Sequence, residues 1–504
     1  MELSITDPSP LPPPPAAFNL AAHVLGRGSQ APDKSALQIL RLSGAERWSY
    51  GRLEAAVRGV ASGLISQGLQ PGDRVLMRLG NTVEFPLAFL GAIAAGIVPV
   101  PTSALLTVPE VTKLARMIAP KAVIAAKGVA LPEGDLPVID AGRFRAWEDL
   151  PPAPFQMGPA DRLAYVVTTS GTSGLPRAVG HAHRAILGRA LMHEGWYGIT
   201  AEDRLLHAGA FNWTYTLGTG LMDPWTVGAT ALIPAPGIPP AQLPLLLKRF
   251  DATIFAAAPG VYRQMLRDGK PLALPRLRHG LSAGERLMPS VRAAWDAATG
   301  TPIYEALGMS ECSTFISGSP ARPAPEGTTG YPQPGRRIAV LEDGQPVPCG
   351  QMGELAIHRS DPGLMLGYLG ADDRSELPLT GDWFLTGDTV EMQADGAIRY
   401  LGRRDDMLNA GGFRVAPAEI EAALATCPGA GEVAAVELRI REDATIIAAF
   451  HTGPATEAAL AAHAETCLAR YKQPRLYRHV AALPHTANGK LNRRALRAEW
   501  EEKL

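Results

Sequence analysis

The chain has 504 residues, 46% of them apolar and 19% charged, which excludes a long disordered protein and predicts two or more folded domains. Its net charge of −1 gives no overall field that would favour nucleic acid or an acidic membrane surface. The four cysteines lack C-x-x-C spacing, which argues against a disulfide framework or a zinc site.

The first residues carry acids and lack the basic start of a secretory signal, so we expect a cytoplasmic protein. Residues 8–16 (PSPLPPPPA) predict a surface lead-in, because proline lacks the backbone donor that a helix or central strand needs. The most apolar stretch, residues 85–100, is too short and too rich in glycine and alanine to span a bilayer. We therefore expect neither a membrane nor a nucleic-acid partner.

From about residue 20 to residue 400, short apolar runs alternate with helical stretches that end in glycine. The helical stretches are SYGRLEAAVRGVASGLISQG and EFPLAFLGAIAAG, and the runs typical of buried strands are RVLMRL, KAVIAA, RLAYVVTT, ATALIP and ATIFAAA. This alternation predicts α/β layers around largely parallel sheets.

The pattern changes near residue 400. EMQADGAIRYLG predicts a hairpin that turns at Asp395 and Gly396. It is followed by two predicted helices, PAEIEAALATC and EAALAAHAETCLARY, with the predicted strands VAAVELRI and TIIAAFH between them. The charged run at residues 403–406 predicts a linker. We expect a large N-terminal domain at 1–402, a linker at 403–406, which the family resemblance given below implies to be a hinge, and a small domain at 407–504.

The strand RLAYVVTT leads directly into SGTSGLPR at residues 170–177. Glycines let backbone N–H groups approach phosphate oxygens, hydroxyls donate further bonds, and Arg177 adds a cation. The spacing is not that of the Walker loop. Taken alone, the segment is either a triphosphate loop or a flexible polar turn.

Residues 168–179 resemble the T-S-G-T-T-G-x-P-K-G-V loop of the adenylate-forming superfamily, which contains acyl-CoA synthetases, aryl-CoA ligases, peptide-synthetase adenylation domains and luciferases. The resemblance implies a large α/β domain of layered sheets and helices with a small mobile α+β domain. This chain has arginine where the family usually has lysine, which keeps the charge and can grip phosphate bidentately. The loop residues implied to bind ATP are Thr169, Ser170, Gly171, Thr172, Ser173, Gly174 and Arg177.

Two further segments extend the resemblance. SAGE at 282–285 looks like the adenine-side turn, although alone it is equally a helix-entry loop, and YEALGMSE at 304–311 is similar to the Y-G-x-T-E motif, read here between a strand and an apparent helix. The resemblance makes Glu311, with Thr172, a ligand of Mg²⁺, an ion that prefers one or two carboxylates plus phosphate oxygens. The residues implied to line the nucleotide are Ala283, Gly284, Glu285, Leu307, Gly308, Met309 and Ser310.

The remaining matches lie in the last quarter of the chain. LTGD at 385–388 matches the family's T-G-D, which implies that Asp388 accepts bonds from the ribose hydroxyls. By the same resemblance Arg403 contacts ribose, Asp405 is the hinge residue and Arg414 faces phosphate. TANGK at 486–490 matches S/T-x-x-G-K, so Lys490 is the implied catalytic cation, although an isolated Gly-Lys is commonly a solvated turn.

The implied reaction needs no protein nucleophile. A carboxylate attacks the α-phosphorus of ATP to give an acyl adenylate and pyrophosphate, and coenzyme A then forms a thioester after the small domain rotates. The implied cofactors are ATP, Mg²⁺ and coenzyme A. The implied catalytic groups are Lys490, Arg414, Thr172 and Glu311.

The segment HAGAFNWTYTLGTGLMDPW lines the acyl pocket by resemblance, with Phe211, Asn212 and Trp213 as its wall. Asn212 either binds an ortho substituent of an aryl acid or is a satisfied core amide. Acetate-specific relatives place tryptophan where this chain has Gly308, so we expect room for an aryl, cyclic or short-to-medium acid.

Three alternatives stay open from sequence alone. The chain is either an acid–CoA ligase, a stand-alone enzyme that loads a carrier-protein thiol, or a nucleotide-binding sensor without turnover. The basic residues between 470 and 497 form either a solvated face or a surface that attracts the phosphates of coenzyme A. The oligomeric state is also open, with a homodimer as one option.

Overall fold

The computed structural model describes residues 2–170, 176–370, 375–410, 413–441, 444–470, 472–485 and 491–503. Its backbone contacts divide into two compact units. The large unit comprises Thr6–Arg337 and His358–Phe384, and the small unit comprises Met1–Ile5, Ile338–Ile357 and Leu385–Leu504. The domain boundary expected at residues 403–406 does not coincide with this division and stays a prediction.

The strands of the described residues are, in chain order, β1 Ser35–Arg41, β2 Gly44–Ser49, β3 Arg74–Arg78, β4 Val98–Pro101, β5 Ala122–Ala125, β6 Val138–Asp140, β7 Leu163–Ser170, β8 Pro176–Ala182, β9 Arg204–Ala208, β10 Thr230–Pro234, β11 Ile254–Ala257, β12 His279–Ala283, β13 Ile303–Met309, β14 Ser313–Ser317, β15 Tyr331–Pro332, β16 Ile338–Glu342, β17 Gln345–Pro346, β18 Met352–His358, β19 Gly367–Leu369, β20 Ser375–Glu376, β21 Trp383–Met392, β22 Ile398–Arg403, β23 Leu408–Ala410, β24 Phe413–Val415, β25 Val433–Arg441, β26 Ala444–His451 and β27 Leu476–His479.

The α-helices of the same residues are α1 Leu20–Leu25, α2 Tyr50–Ser66, α3 Glu84–Ala94, α4 Val108–Ile118, α5 Phe144–Trp147, α6 Ala185–Met192, α7 Thr214–Leu217, α8 Asp223–Val227, α9 Leu243–Arg249, α10 Pro259–Met265, α11 Pro289–Thr299, α12 Pro417–Ala425, α13 Glu457–Cys467 and α14 Arg493–Glu501. None of the helices described is long and apolar enough to cross a bilayer.

A nine-stranded sheet forms the centre of the large unit, in the order β15-β14-β13-β12-β11-β9-β10-β1-β2. The strands from β13 to β1 run parallel, and antiparallel strands close both edges. Strand β11 is apolar and buried along its whole length, as expected for an inner strand of a parallel sheet covered on both faces. The predicted strands ATALIP and ATIFAAA are confirmed as β10 and β11.

Both helices predicted near the start of the chain are confirmed as α2 and α3. Helix α2 begins where the Ser49 hydroxyl accepts a hydrogen bond from the backbone N–H of Arg52, and the chain turns away at Gly68, whose φ is 83°. Helix α3 is apolar on all sides and buried from Phe85 to Ala94, as expected for a helix inside the protein.

Two four-stranded sheets complete the large unit. The sheet β4-β3-β5-β6 is parallel, whereas β20-β19-β8-β7 is antiparallel. They share a core in which Val166 and Ala178 pack with Leu76, Val100 and Val123. The chain therefore forms α/β layers as predicted, but its sheets are mixed rather than largely parallel.

The small unit contains a five-stranded sheet, β17-β16-β18-β21-β22, together with the two-stranded sheet β23-β24 and the three-stranded sheet β25-β26-β27. The predicted hairpin is confirmed, since β21 and β22 pair antiparallel and Gly396 has a φ of 85° in the turn. The second predicted helix is shorter than expected. Helix α13 ends at Cys467, because Leu468 is already extended and its side chain is buried.

Candidate active site

The carboxyl ends of the parallel strands β9, β12 and β13 lie at one edge of the nine-stranded sheet. Residues 209–213 follow β9, residues 284–285 follow β12, and residues 310–311 follow β13. In open α/β sheets, ligands bind at this edge. The fold therefore brings the predicted acyl wall, adenine-side turn and metal ligand to the same edge of the large unit.

Glu311 lies in a tight turn between β13 and β14. The two strands pair antiparallel, with Met309 opposite Ser313 and Gly308 opposite Thr314. Ser313 has a φ of 66°, a conformation that closes the turn. The expectation of a helix after Glu311 was wrong, because cross-strand pairing rather than a local helical period fixes this segment.

The Glu311 carboxylate is oriented by Tyr368 of β19. The Tyr368 hydroxyl donates a 2.7 Å hydrogen bond to Oε1, and the backbone N–H of Met365 donates a 2.7 Å bond to the Glu311 carbonyl oxygen. Burial and the neighbouring Glu311 raise the pKa of Tyr368 to about 12, so this hydroxyl keeps its proton at neutral pH. The exposed Arg177 guanidinium lies 5.0 Å from the centroid of the Tyr368 ring, so a cation contacts the side chain that binds Glu311.

His181 of β8 binds the backbone of Ser310, the residue before Glu311. Its Nε2 lies 2.8 Å from the Ser310 carbonyl oxygen, and its ring stacks on Tyr165 with centroids 4.9 Å apart. Burial lowers the pKa of His181 to about 4, so the imidazole is neutral and donates through Nε2. The turn is therefore attached to the strand that follows the phosphate loop.

A buried ion pair lies under the Glu311 turn. Arg336 Nη1 is 2.6 Å from Asp361 Oδ1, and both side chains are fully buried. The same guanidinium donates a 3.0 Å bond from Nη2 to the carbonyl oxygen of Thr314 and lies 3.8 Å from Sγ of Cys312. Removing one partner of such a pair leaves an uncompensated charge, at a cost of about 3–5 kcal/mol. A substitution of Arg336 or Asp361 would therefore destabilise the structure beneath the turn.

A second buried pair connects the turn to the predicted acyl segment. Arg189 Nη2 lies 2.6 Å from Asp223 Oδ2, and Nη1 donates to the Ser313 hydroxyl. The Tyr197 hydroxyl donates a 2.7 Å bond to the same carboxylate oxygen and lies 2.8 Å from the Thr219 hydroxyl. One guanidinium therefore contacts both the acyl segment and the strand that follows the turn.

The adenine-side turn and the acyl wall are in direct contact. Gly284 has a φ of 95°, and a methyl group placed on it would come within 2.5 Å of the Trp213 ring. The Trp213 ring therefore lies against the Gly284 backbone, in a place where only glycine fits. Just beyond, Glu305 Oε1 accepts a 2.8 Å bond from the Leu287 N–H and holds the end of this loop.

The three wall residues differ in exposure. Phe211 is 1% exposed and packs on Phe85, with centroids 5.1 Å apart, whereas Asn212 and Trp213 are half-buried. The backbone N–H of Phe211 donates a 2.9 Å bond to Oδ1 of Asn81. Phe211 thus belongs to the core that supports the wall, and Trp213 provides the apolar surface of the segment.

Gly308 lies where β13 and β14 approach closely. A methyl group on Gly308 would come within 2.5 Å of the Ser313 carbonyl oxygen and the Thr314 Cα. The expectation that glycine at this position leaves room for the acid stays a prediction. The residue is required by the close approach of two strands.

The predicted ribose residues meet within the small unit. Asp388 is 5% exposed, and its Oδ1 accepts bonds from Arg403 Nη1 at 3.2 Å and from the Tyr400 hydroxyl at 3.3 Å. Arg403 Nη1 also donates a 2.8 Å bond to the Thr386 carbonyl oxygen. A methyl group on Gly387 would come within 2.7 Å of the Arg403 guanidinium. The T-G-D segment and Arg403 therefore form one packed cluster.

Acids neutralise part of the basic stretch near the end of the chain. Lys472, Arg478 and Arg493 form ion pairs with Glu419, Glu457 and Glu421 at 2.5, 2.8 and 2.7 Å. These pairs favour the interpretation of a solvated face over a surface that attracts phosphate.

Several predicted residues lie outside the described part of the chain, namely Gly171, Thr172, Ser173, Gly174 and Lys490, as do the side chains of Ser170, Asp405 and Arg414. On either side of residues 486–490, His485 and Leu491 form an antiparallel bridge. Thr169 lies on β7 and pairs with Arg177 across the two strands that flank the phosphate loop.

Sequence reasoning missed the residues that hold the site together: Tyr368, His181, Arg189, Asp223, Arg336 and Asp361. Two weak signals were present. A histidine inside the apolar strand PRAVGHA, and charged residues within otherwise apolar segments, indicate buried polar groups that need partners. Their partners are more than 20 positions away, so a local pattern does not identify them.

The chain matches known enzymes along most of its length. The family of AMP-binding enzymes matches residues 26–369, and the AMP-binding enzyme C-terminal domain matches residues 419–490. The benzoate–CoA ligase of Thauera aromatica is 31% identical, with 98% of this chain and 99% of that protein covered.

Two solved structures have the same fold. An anthranilate CoA ligase in complex with anthranoyl-AMP gives a TM-score of 0.86 at 25% identity, covering 97% of this chain and 98% of the other. A benzoate CoA ligase from Burkholderia xenovorans LB400 gives 0.83 at 28% identity, covering 95% of this chain and 100% of the other.

The layered fold, the site at the carboxyl edge of its sheet and these matches define an AMP-forming acid–CoA ligase. The chain belongs to the AMP-binding enzyme family.

Proposed function

We propose that the acid is an aryl carboxylic acid of about the size of benzoate, which the chain activates as its adenylate and transfers to coenzyme A. The contact between Trp213 and Gly284 carries this proposal, because it places a flat apolar surface directly beside the adenine-side turn. The names of the relatives support it, since the benzoate and anthranilate ligases among them act on aromatic acids.

The first half-reaction is an in-line displacement. A carboxylate oxygen of the acid forms a bond to the α-phosphorus, and the bond from that phosphorus to pyrophosphate breaks. We assign Lys490 and Arg414 to the charge that builds at the reacting phosphate, and Arg177 to the leaving phosphates. Asp388 and Arg403 are assigned to ribose, and Leu307, Gly308, Met309 and Ser310 to the nucleotide.

Glu311 suits a magnesium site. Its carboxylate is half-buried and accepts a hydrogen bond from Tyr368, whose ring contacts Arg177. Mg²⁺ is commonly bound by one or two carboxylates plus phosphate oxygens. When bound, Mg²⁺ would neutralise phosphate charge, with Thr172 as a second ligand. Tyr368 contributes orientation, because a fixed hydrogen bond limits the rotamers of the Glu311 side chain.

In the second half-reaction the thiol of coenzyme A attacks the carbonyl carbon of the adenylate, and AMP leaves. We propose that the small C-terminal domain rotates about Asp405 between the two steps, as the family resemblance implies. A cytoplasmic location fits an enzyme that consumes ATP and coenzyme A, and a homodimer is one assembly to test.

The direct test is a product assay with the full chain, ATP, Mg²⁺ and a panel of acids. With benzoate and coenzyme A we expect AMP and benzoyl-CoA in equal amounts, detected by chromatography and mass spectrometry. Acetate is expected to react at least 100-fold more slowly. Formation of ADP, or thioester formation on a holo-carrier protein but not on coenzyme A, would contradict the proposal.

A further inference from the structure

Asn81 lies between β3 and α3 and uses both ends of its amide to bind the chain that follows β9. Its Nδ2 donates a 2.6 Å hydrogen bond to the carbonyl oxygen of Gly209, and its Oδ1 accepts a 2.9 Å bond from the backbone N–H of Phe211. A carbonyl oxygen only accepts and a backbone N–H only donates, so the two partners fix the orientation of the amide. One side chain therefore holds two points of a segment that is 128 to 130 positions away.

The segment that Asn81 holds is a loop. Pairing of β9 with β11 ends at Ala208, and α7 begins at Thr214, which leaves residues 209–213 between the strand and the helix. Within the loop the backbone N–H of Trp213 donates a 3.0 Å bond to the carbonyl oxygen of Ala210 and closes a turn. Because a turn bonds within itself, its position in the protein depends on contacts from other elements.

The start of α3 supplies a second contact to this loop. Phe85 packs on Phe211 with ring centroids 5.1 Å apart, and Phe85 is itself 6.3 Å from Phe89 between centroids. This apolar contact is non-directional and buries the Phe211 side chain. The two hydrogen bonds of Asn81 are directional, so they orient the backbone of the loop as well as hold it.

The orientation of this backbone affects the half-buried Trp213, two residues after Phe211. The Trp213 ring lies against Gly284 of the adenine-side turn, and it meets the Tyr215 ring edge-on with centroids 5.4 Å apart. The Tyr215 hydroxyl in turn donates a 3.1 Å bond to the carbonyl oxygen of Leu281 on β12. Trp213 therefore lies between the loop that Asn81 holds and the strand that carries the adenine-side turn.

We propose that Asn81 is a positioning residue for the carboxylic acid, because its two hydrogen bonds set where Trp213 lies beside the adenine-side turn. This inference rests on the proposed function, in which Trp213 supplies apolar surface to the acid. Asn81 acts through the loop. Without its bonds the loop has more freedom, the acid must order it on binding, and affinity for the acid falls. ATP binding changes less, since Glu305 holds the end of the adenine-side turn independently.

The test measures two constants in the full-length enzyme, with AMP release as the readout: KM for the preferred aryl acid at saturating ATP and coenzyme A, and KM for ATP at saturating acid. Asn81→Ala should raise KM for the acid about 10-fold, the size expected for two neutral hydrogen bonds, with kcat and KM for ATP within about 2-fold. A rise in KM at unchanged kcat indicates lost substrate binding. Asn81→Asp keeps the acceptor for Phe211 and loses the donor to Gly209, so its rise should be about 3-fold.

Thr112→Val is the matched control. The Thr112 hydroxyl also bridges two backbone groups, since it donates to the Val108 carbonyl oxygen at 2.7 Å and accepts from the Glu133 N–H at 3.0 Å. It lies on α4, outside the acyl segment. We expect Thr112→Val to lower Tm and to leave KM for the acid within about 2-fold of the native value.

Two results would overturn this inference alone, given turnover of an aryl acid by the native chain. A lower kcat or Tm with unchanged KM for the acid in the Asn81 variants would mean that Asn81 only stabilises the fold. An equal rise of that KM in Thr112→Val would mean that any loss of stability has this effect. If Asn81→Ala does not fold, Asn81→Asp decides by the same comparison. Absence of native turnover with benzoate and all three hydroxybenzoates would instead remove the proposed function, and this inference with it.

Discussion

The phenolic hydroxyl of Tyr368 donates a 2.7 Å hydrogen bond to Oε1 of Glu311, although the two residues are 57 positions apart. Strand β19 brings Tyr368 to this place by pairing with β8, the strand that follows the phosphate loop. One hydrogen bond therefore ties the predicted metal ligand to the sheet that carries the loop.

Replacing Tyr368 by phenylalanine removes this bond and leaves the ring in place. A hydrogen bond to a charged group contributes about 1.5–3 kcal/mol, which corresponds to a factor of about 10–100. We expect Tyr368→Phe to lower kcat/KM for ATP by at least 10-fold and to raise the Mg²⁺ concentration needed for half-maximal rate. Steady-state kinetics at varied ATP and Mg²⁺ would measure both.

Tyr477→Phe is a suitable control for this experiment, since Tyr477 lies on β27 of the small unit and packs with its core. If both tyrosine variants have the same Mg²⁺ dependence as the native chain, Tyr368 does not orient the metal ligand.

The free energy of unfolding should fall at acidic pH, and part of that fall should come from His181. Burial lowers its pKa from 6.5 to about 4, so between these values the unfolded chain binds a proton that the folded chain does not. The contribution is complete above about pH 6.5 and is lost as the pH falls toward 4. His183, His207 and His279 behave alike, with pKa values of about 3, 3 and 4.

The measurement is the free energy of unfolding in urea between pH 4.5 and 7. Near pH 5 each such histidine adds about 1.4 kcal/mol per pH unit to the slope. His181→Gln keeps a donor for the Ser310 carbonyl. It should reduce the slope by about 1.4 kcal/mol per pH unit, the contribution of one proton. An unchanged slope would mean that His181 is protonated in the folded chain.

The contact between Asp388 and Arg403 predicts a selective effect on ATP binding. Asp388→Asn removes the charge from a buried acceptor, and we expect KM for ATP to rise about 10-fold because charge-assisted hydrogen bonds are about twice as strong as neutral ones. Glu391→Gln on the same hairpin breaks an ion pair with the exposed Arg399, and surface pairs contribute about 0–1 kcal/mol. Equal effects of the two substitutions would show that Asp388 acts only through hairpin stability.

Lys490 has a role in one half-reaction only, by our assignment. Lys490→Ala should lower formation of the acyl adenylate by at least 100-fold, the size expected for loss of a group that stabilises transition-state charge. Thioester formation from supplied benzoyl adenylate should proceed at the native rate. Lys503→Ala, which removes an exposed lysine paired with Glu499, is the control. Equal loss of both half-reactions in Lys490→Ala would contradict the assignment.

The sequence predicted the elements of this protein better than their arrangement. Strands β10 and β11, helices α2 and α3 and the β21–β22 hairpin follow from apolar period, glycine stops and a turn dipeptide, which are local signals. The strand after Glu311 was missed because its partner across the sheet, not its own period, decides its structure.

The candidate site shows the same division. Glu311, Arg403 and Trp213 were predicted by resemblance, since each lies in a short motif. Arg189 and Asp223 were not found, because a buried ion pair between segments 34 positions apart has no local pattern. The close approach of β14 to Gly308 was not found either, because it depends on strand pairing and not on the motif.

The most direct test of the central claim, that an aryl acid is activated as its adenylate, is exchange of labelled pyrophosphate into ATP without coenzyme A. The reversible first step predicts exchange that depends on benzoate or a hydroxybenzoate and on Mg²⁺, and that falls at least 10-fold in Tyr368→Phe. Exchange that requires coenzyme A, or that proceeds equally well without any acid, would contradict the account.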